Sequence, residues 1–498
     1  MSYLLLTGVT GLVGRYLVRD LLQADVPLAL LVRPSRRASG RQRVETVMDY
    51  WEQQLGRPLP RPVVLEGDIA ETDLGIDARS LRWVAENCSA VLHNAASLTF
   101  HSTSQEGEPW RSNVEGTQHV LDVCQQAGIR KFHHVSTAYV CGLREGRIYE
   151  SELDVGQQMS NDYERSKVQA EKLVRNSPCL DEVTVYRPAI IIGDSETGYT
   201  TTYHGFYAPL QLAHTLAGQV EPNETSYICA PARFPLVGFE TKNLVPVDWV
   251  SAVIAHVITH PEHHGKTYHL TPRQKITIRL LGDVLQESAG FYSVRFEGTE
   301  GSDAPLTEQE RVFREIVGIY ASYWRDDPTF DATNTITAAP HLPCPHIDRQ
   351  RLLMMARAAQ ALNFSGPKTK PVHLSFDVPR LIDAVVETLE NQSENTSRST
   401  APVMVSMQVT GSGGGDWHFE LHGQRVTSIE PGLKFPSVAT LRLTSDTLAA
   451  LLRAELGIDA VLADGRLQVV QGAAESIALP EVVQSILESL MSHEMISR

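Results

Sequence analysis

Short, continuous apolar runs recur through the first part of the chain: Tyr3 to Leu6, Leu28 to Val32, Val63 to Leu65, Ala90 to His93, Lys131 to Val135 and Val183 to Tyr186. Each is followed by a longer stretch of helical periodicity. Strands buried on both faces of a parallel sheet read as unbroken apolar runs, and their alternation with helices predicts βαβ units closing into an open, doubly wound α/β sheet. The interval between the second and third runs is long. Within it, Val44 to Leu55 predicts an inserted helix, stopped by Pro58, Pro60 and Pro62. Beyond about Thr200 the pattern becomes irregular and rich in His, Pro and Tyr, as expected of a region that covers a substrate.

A different code takes over near the C-terminus. Residues 391–401 are polar without apolar anchors and predict a linker. After it, Val403, Val405, Met407 and Val409 alternate with other residues, Gly411 to Gly415 turns the chain, and Trp417 to Leu421 and Val426 to Ile429 continue an antiparallel meander. Leu448, Leu451, Leu452 and Leu456 then share one helical face, with Ser445 or Asp446 as its N-cap. The expected organisation is a first domain over residues 1–390, a linker over 391–401 and a small α+β domain over 402–498.

Composition narrows the classes. At 498 residues the chain exceeds one ordinary core. A formal charge of -15 argues against a nucleic-acid partner, because phosphate binding needs clustered Lys and Arg. No run approaches the roughly 18 to 20 apolar residues of a membrane helix, and the N-terminus leads straight into a strand rather than a signal segment. Cys88, Cys124, Cys141, Cys179, Cys229 and Cys344 are scattered, as reduced thiols in a cytoplasmic protein would be. His133-His134 and His263-His264 lack carboxylate companions at ligand spacing, so no metal is expected. Gly411 to Gly415 lacks the Lys and Ser/Thr of a phosphate loop.

Directly after the first run stands Thr7-Gly8-Val9-Thr10-Gly11-Leu12-Val13-Gly14. A glycine turn between strand and helix lets backbone N–H groups approach a pyrophosphate, whose charge the helix N-terminus favours; this is the Rossmann-type arrangement. Gly8, Thr10, Gly11, Leu12, Val13 and Gly14 are therefore candidate cofactor contacts. After the second run, Arg33 stands where an NAD-selective fold would place an acidic residue, with Arg36 and Arg37 behind it. Such arginines accept a ribose 2′-phosphate, which predicts NADP(H), with NAD less favoured. Gly67-Asp68-Ile69 places Asp68 near an adenine amino group, and Asn94, Ala95 and Ala96 supply small residues where the backbone must pass the cofactor.

The catalytic candidates follow the fifth run. His134-Val135-Ser136-Thr137 ends it, and Tyr163 and Lys167 stand four residues apart on one predicted helix face. A free phenol near pKa 10 is a poor base at neutral pH, and a nearby ammonium favours its ionised form. Lys167 is expected to supply that charge while bonding the nicotinamide ribose, with Thr137 or Ser136 polarising a carbonyl.

In this order TGVTGLVG, GDI, HNAA, NVEGT (Asn113 to Thr117), HVSTAYV, YERSK and YRPAIIIG resemble the extended short-chain dehydrogenase/reductase superfamily. The long insertion before the third strand, Gly67 to Gly75, His93 to Phe100 and His134 to Tyr139 are similar to the thioester-reductase and fatty acyl-CoA reductase branch. The resemblance implies Thr137, Tyr163 and Lys167 in catalysis with Ser136 beside them, and adds Ile69 and Pro188 to the cofactor set. It implies hydride transfer from NADPH to an acyl thioester on CoA or a carrier protein, giving an aldehyde or alcohol. Ala439 to Leu448 and Ala463 to Gly472 resemble the sterol carrier protein 2-like family, which implies a site for an acyl chain or sterol. A hydroxysteroid-type dehydrogenase or sugar epimerase, and a lipid carrier without turnover, are the alternatives; a homodimer is left open.

Overall fold

The alternation of strand and helix is realised in one seven-stranded sheet. The computed structural model describes residues 2–102, 104, 106–217, 232–290, 294–298, 305, 311, 318, 323, 325–365, 376–392, 402–434, 436–471 and 479–491. The first elements are β1 (Tyr3–Leu6), α1 (Leu12–Gln23), β2 (Leu28–Val32), α2 (Gly40–Leu55), β3 (Val63–Glu66), α3 (Ala78–Asn87), β4 (Cys88–His93), α4 (Gly116–Ala127), β5 (Lys131–Val135), α5 (Asp162–Asn176) and β6 (Glu182–Pro188). The chain continues through β7 (Ile190–Ile192), α6 (Tyr207–Ala217), β8 (Leu244–Pro246), α7 (Val247–Thr259), β9 (Thr267–Leu270), α8 (Ile278–Ala289) and α9 (Arg349–Ala361). In these labels the sheet order is β9-β6-β5-β4-β1-β2-β3. The order reverses between β1 and β4.

Local chemistry sets the helix limits. The inserted helix α2 begins earlier than its apolar pattern suggests, because Ser39 and Gln42 form a capping box, and Gly56 ends it at φ 65. Asn161 caps α5 by accepting from the Glu164 backbone N–H, and Asp162 and Glu164 in its first turn suit the positive end of the helix dipole.

The chain divides into two compact units. The larger comprises residues 6–20 and 67–368. Its strands β4, β5, β6 and β9 pair parallel. The stretch that looked irregular has a core of its own, built from Phe206, Tyr207 and Leu210 around α6, Val284 and Leu285 of α8, and Leu352 and Met355 of α9. Its short strands β7 and β8 pair parallel, with Leu244 opposite Ile190.

The smaller unit comprises residues 1–5, 21–66 and 369–498. Its C-terminal part holds α10 (Val378–Gln392), β10 (Val403–Thr410), β11 (Gly415–His422), β12 (Arg425–Pro431), β13 (Ala439–Thr444), α11 (Ser445–Leu452), α12 (Ile458–Ala463), β14 (Gln468–Gln471) and α13 (Leu479–Met491). The expected meander is β10-β11-β12, antiparallel throughout. β13 then joins the free edge of β10 in parallel, and β14 closes the sheet antiparallel to β13. Thr444, one residue before the expected caps, accepts from Thr447 N and caps α11. Leu448, Leu451 and Leu452 are buried in one cluster with Val483, Ile486 and Leu490 of α13, while Leu456 packs at its margin.

The same cluster takes in Val378, Leu381, Ile382 and Val385 of α10. The expected boundary after residue 390 therefore falls inside a helix whose i, i+3, i+4 apolar stripe is buried with the C-terminal sheet. Residues 391 and 392 end that helix, and 393–401 lie outside the described residues. The Tyr3 hydroxyl accepts from Leu433 N at 2.8 Å, and Arg41 of α2 pairs with Asp383 of α10 at 2.7 Å. The C-terminal sheet and the β2-α2-β3 segment thus belong to one packing unit. Among the described residues no helix is long and apolar enough to cross a membrane, and no group of three or more His, Cys, Asp or Glu is arranged to hold a metal ion.

Candidate active site

The glycine turn is sterically exact at two of its three positions. Gly8 has φ 74, and a Cβ there would lie 2.6 Å from Ala95 N; a Cβ at Gly14 would lie 2.1 Å from Gly8 O. Gly11 is different, with Gly8 O at 3.4 Å as its nearest neighbour. Gly8 and Gly14 let the turn pack against the segment after β4 and fold back on itself, and exposed Gly11 faces outward.

A directed hydrogen-bond chain fixes these turns. Asn94 N and Ala95 N both donate to Thr7 Oγ1 at 3.1 Å, so the Thr7 hydroxyl gives its own proton to His93 Nδ1 at 2.9 Å. That leaves His93 Nε2–H to donate to Thr117 Oγ1 at 3.1 Å, and Thr117 donates to Asn113 O at 2.6 Å. Burial, reinforced by the Lys167 charge, pushes His93 down to about 3, so the ring stays neutral. Asn113 lies in a π-helical turn, Arg111–Glu115, and its side chain spans Ser97 O at 3.0 Å and Ser166 Oγ at 2.9 Å. Ser166 in turn donates to Tyr163 O at 2.7 Å. The cofactor turn is thereby tied to the helix that carries Tyr163 and Lys167.

Lys167 is buried and donates to Val135 O at 2.8 Å. Desolvation pulls its ammonium down to about 8, against the favourable charge of Glu171. Tyr163 sits half-buried, edge-on to Phe100 at 5.9 Å between centroids. Burial pushes its phenol up to about 12, opposed by a hydrogen bond with Thr137. The expected lowering by Lys167 is absent, and the ammonium is directed at the Val135 carbonyl instead.

Thr137, the hydroxyl beside Tyr163, also caps the short turn Ala138–Cys141 by accepting from Tyr139 N at 3.3 Å, and it lies 3.5 Å from Pro188 O. Ser136 is placed elsewhere. Its N donates to Tyr186 O at 2.7 Å, and its hydroxyl lies near Glu171, a carboxylate held by Arg187 at 2.6 Å.

Of the other cofactor candidates, Thr10 and Val13 are half-buried, Leu12 is buried and Ala96 is exposed. Asp68 accepts from Ala70 N at 3.1 Å, and Ile69 lies where a Cβ on Gly116 would come within 2.9 Å. In the smaller unit, Arg33 and Arg36 are exposed just after β2, and Arg43 donates to the Arg33 carbonyl.

Several residues of this neighbourhood carried no role in the sequence. Phe100, Tyr139 and Tyr323 stack edge to face, at 5.7 Å and 5.5 Å from Tyr323. Tyr139 donates to Asp327 at 2.6 Å, and Asp327 also holds Lys242 at 2.9 Å and Asn243 N at 3.0 Å. Phe100 and Tyr139 end motifs that were recognised. Tyr323 and Asp327 come from a distant segment with no local signal.

A family profile described as male sterility protein matches residues 6–254. Aldehyde reductase lnaA of Aspergillus flavus is 28% identical over 410 residues, which is 74% of this chain and 37% of that protein. The terminal R domain of the myxalamid PKS-NRPS biosynthetic pathway is 25% identical with a TM-score of 0.58, covering 73% of this chain and 92% of the domain. The reductase domain of a non-ribosomal peptide synthetase from Mycobacterium tuberculosis, 21% identical, shares the fold with a TM-score of 0.53 over 73% of this chain and 92% of that one. The chain spans about a third of the length of the first curated relatives it matches.

Proposed function

The chain belongs to the male sterility protein family, an NAD(P)-binding reductase branch of the extended short-chain dehydrogenase/reductases, and from that premise we propose that it is an NADPH-dependent reductase of a lipid-like acyl thioester, acting in the cytoplasm on a CoA or carrier-protein ester. The observation that carries this reading is the grouping of Thr137, Tyr163 and Lys167 on the helix and strand end that Asn113 and His93 tie to the glycine turn. The dinucleotide fits on steric grounds, since Gly8 and Gly14 leave no room for a Cβ and Gly11 stays open to backbone approach. When bound it supplies a hydride to the thioester carbonyl carbon. Arg33 and Arg36 are the groups for a 2′-phosphate, and Lys167 for the nicotinamide ribose.

Tyr163 is neutral at physiological pH and so stands ready as a proton donor to the carbonyl oxygen, with Thr137 hydrogen-bonding the same oxygen. The resulting hemithioacetal expels thiol and leaves the aldehyde. The aromatic group of Phe100, Tyr139 and Tyr323 offers apolar contact for an acyl chain. The likeness to aldehyde reductase lnaA supports carbonyl reduction. A hydroxysteroid-type dehydrogenase or sugar epimerase would use the same three residues. For the C-terminal sheet the proposal is a sterol carrier protein 2-like lipid site, supported by one apolar cluster between a mixed five-stranded sheet and its helices. That role is tested by displacing a fluorescent fatty acid from the full chain; failure of any lipid to compete for saturable binding removes it.

The deciding experiment is NADPH oxidation by the purified protein with acyl-CoA thioesters, ketones and aldehydes, with NADH in parallel. Oxidation that depends on thioester and releases free thiol is expected. Activity confined to ketones or alcohols would transfer the protein to the dehydrogenase reading.

A further inference from the structure

The ring nitrogens of His134, buried in the β5–α5 layer, make no hydrogen bond within the protein, and the buried Ser136 Oγ has the Glu171 carboxylate as its side-chain partner. Residues two apart along a strand direct their side chains to one face, so the three atoms share a side of the strand end. His134 is wholly buried and Ser136 nearly so. The titratable groups facing them are Lys167, Glu171 and Arg175 from α5, His93 from β4 and Arg187 from β6. His93 stacks on His134 with ring centroids 5.7 Å apart, and its nitrogens are already committed to Thr7 and Thr117.

A neutral imidazole offers one donor and one acceptor, and a buried polar group left without a partner is destabilising. Groups of this kind in a polar, enclosed setting are commonly satisfied by ordered internal water. The two ends of this face are a cation and an anion. Lys167 gives one of its three N–H donors to Val135 O, and Glu171 is held by Arg187 with the Ser136 hydroxyl nearby.

We infer that His134 and Ser136 are positioning residues that hold internal water against Lys167, so that the lysine keeps its ammonium form beside the cofactor ribose. The inference rests on the cofactor role of Lys167 proposed above. Water that accepts a second N–H of Lys167 and donates to the free nitrogen of His134 favours the charged lysine in a place where burial disfavours it. The same arrangement accounts for the hydroxyl of Ser136 facing Glu171 while that of Thr137 serves Tyr163.

The test is the pH dependence of NADPH affinity, measured by fluorescence titration from neutral to alkaline pH. In the unmodified protein affinity should fall as Lys167 loses its proton, with a midpoint at about 8. His134→Phe fills the ring volume without nitrogens and should move that midpoint down by about one unit, so that affinity well above it falls about tenfold. His134→Gln, which keeps a donor and an acceptor, should restore most of the shift, and Ser136→Ala should move the midpoint the same way by less. Melting curves establish that each variant is folded; if His134→Phe is not, Ser136→Ala carries the test. An unchanged midpoint in folded His134→Phe, or in Ser136→Ala where His134→Phe does not fold, overturns the inference alone. No NADPH binding by the unmodified protein overturns the cofactor reading and the inference together.

Discussion

Replacing the three glycines of the turn one at a time separates packing from ligand approach. In Gly14→Ala the new methyl lies 2.1 Å from Gly8 O and 2.8 Å from Gly8 C and Val9 Cα, all backbone. Contact at ordinary carbon separations requires the turn to open by roughly 1 Å, and overpacking of that kind costs about 1 to 3 kcal/mol. Gly8→Ala meets Ala95 N at 2.6 Å and also forces an alanine to φ 74, which adds about 1 to 2 kcal/mol. Gly11→Ala meets nothing closer than 3.4 Å and needs no left-handed backbone, so stability should stay within about 1 kcal/mol. A methyl at exposed Gly11 nevertheless stands where a pyrophosphate would approach the backbone. Thermal melts paired with NADPH titrations should therefore show Gly14→Ala losing stability and affinity together, and Gly11→Ala losing affinity alone, by about tenfold or more, equivalent to about 1.4 kcal/mol. NADPH binding by Gly11→Ala equal to that of the parent would refute the turn as the pyrophosphate site.

Tyr163→Phe should leave NADPH affinity within about twofold while lowering thioester-dependent turnover by about 10² to 10⁴; steady-state kinetics beside a binding titration check it, and unchanged turnover removes Tyr163 from the chemistry. Arg33→Ala should weaken NADPH by about tenfold or more and leave NADH nearly unaffected, so equal losses for the two cofactors would count against the 2′-phosphate role. Glu45, buried beside Arg61, is pushed up to about 7 from 4.5, chiefly by desolvation. A raised carboxyl pKa stabilises the fold below about 4.5 and loses that contribution as pH rises through about 7, so Glu45→Gln should match the parent in acid and exceed it by up to about 3 kcal/mol near pH 8. Melts at both pH values measure the difference, and a variant less stable than the parent at alkaline pH would show that the charge pair with Arg61 outweighs desolvation.

Six of the seven strands of the parallel sheet are legible because each is a short apolar run at the expected spacing, whereas β9 lies in the stretch that reads as irregular; the meander of β10 to β12 is legible because alternation with a glycine turn is a local signal. The expectation failed where the decisive interactions are long-range. The core around Phe206, Val284 and Leu352 joins segments that each look irregular alone, and α10 was assigned to the wrong side of a boundary because its stripe, Val378 to Val385, does not announce which sheet it will cover. In the candidate site, spacing alone picks out the motif glycines and the Tyr163/Lys167 pair as candidates, and leaves the strand-end hydroxyl open between Ser136 and Thr137. Ser136 and Thr137 could not be distinguished from sequence, since adjacent hydroxyls at a strand end differ only in the side of the chain from which they leave. Tyr323 and Asp327 reach the site through packing.

The protonation states in the site bear on its direction. Reduction of a carbonyl consumes a proton at the oxygen, whereas oxidation of an alcohol needs a base that takes one. Burial against Phe100 and the nearby Glu164 charge raise the Tyr163 phenol to about 12, and the Thr137 hydrogen bond only partly opposes them. Desolvation brings Lys167 down to about 8, which still leaves most of it protonated at neutral pH. Both groups therefore hold their protons before substrate arrives, so that Tyr163 can deliver one to a carbonyl oxygen. Deprotonation of Lys167 should accordingly remove reductive activity as pH rises through about 8, well before Tyr163 ionises, so the alkaline limb of the pH profile reports the lysine and not the phenol.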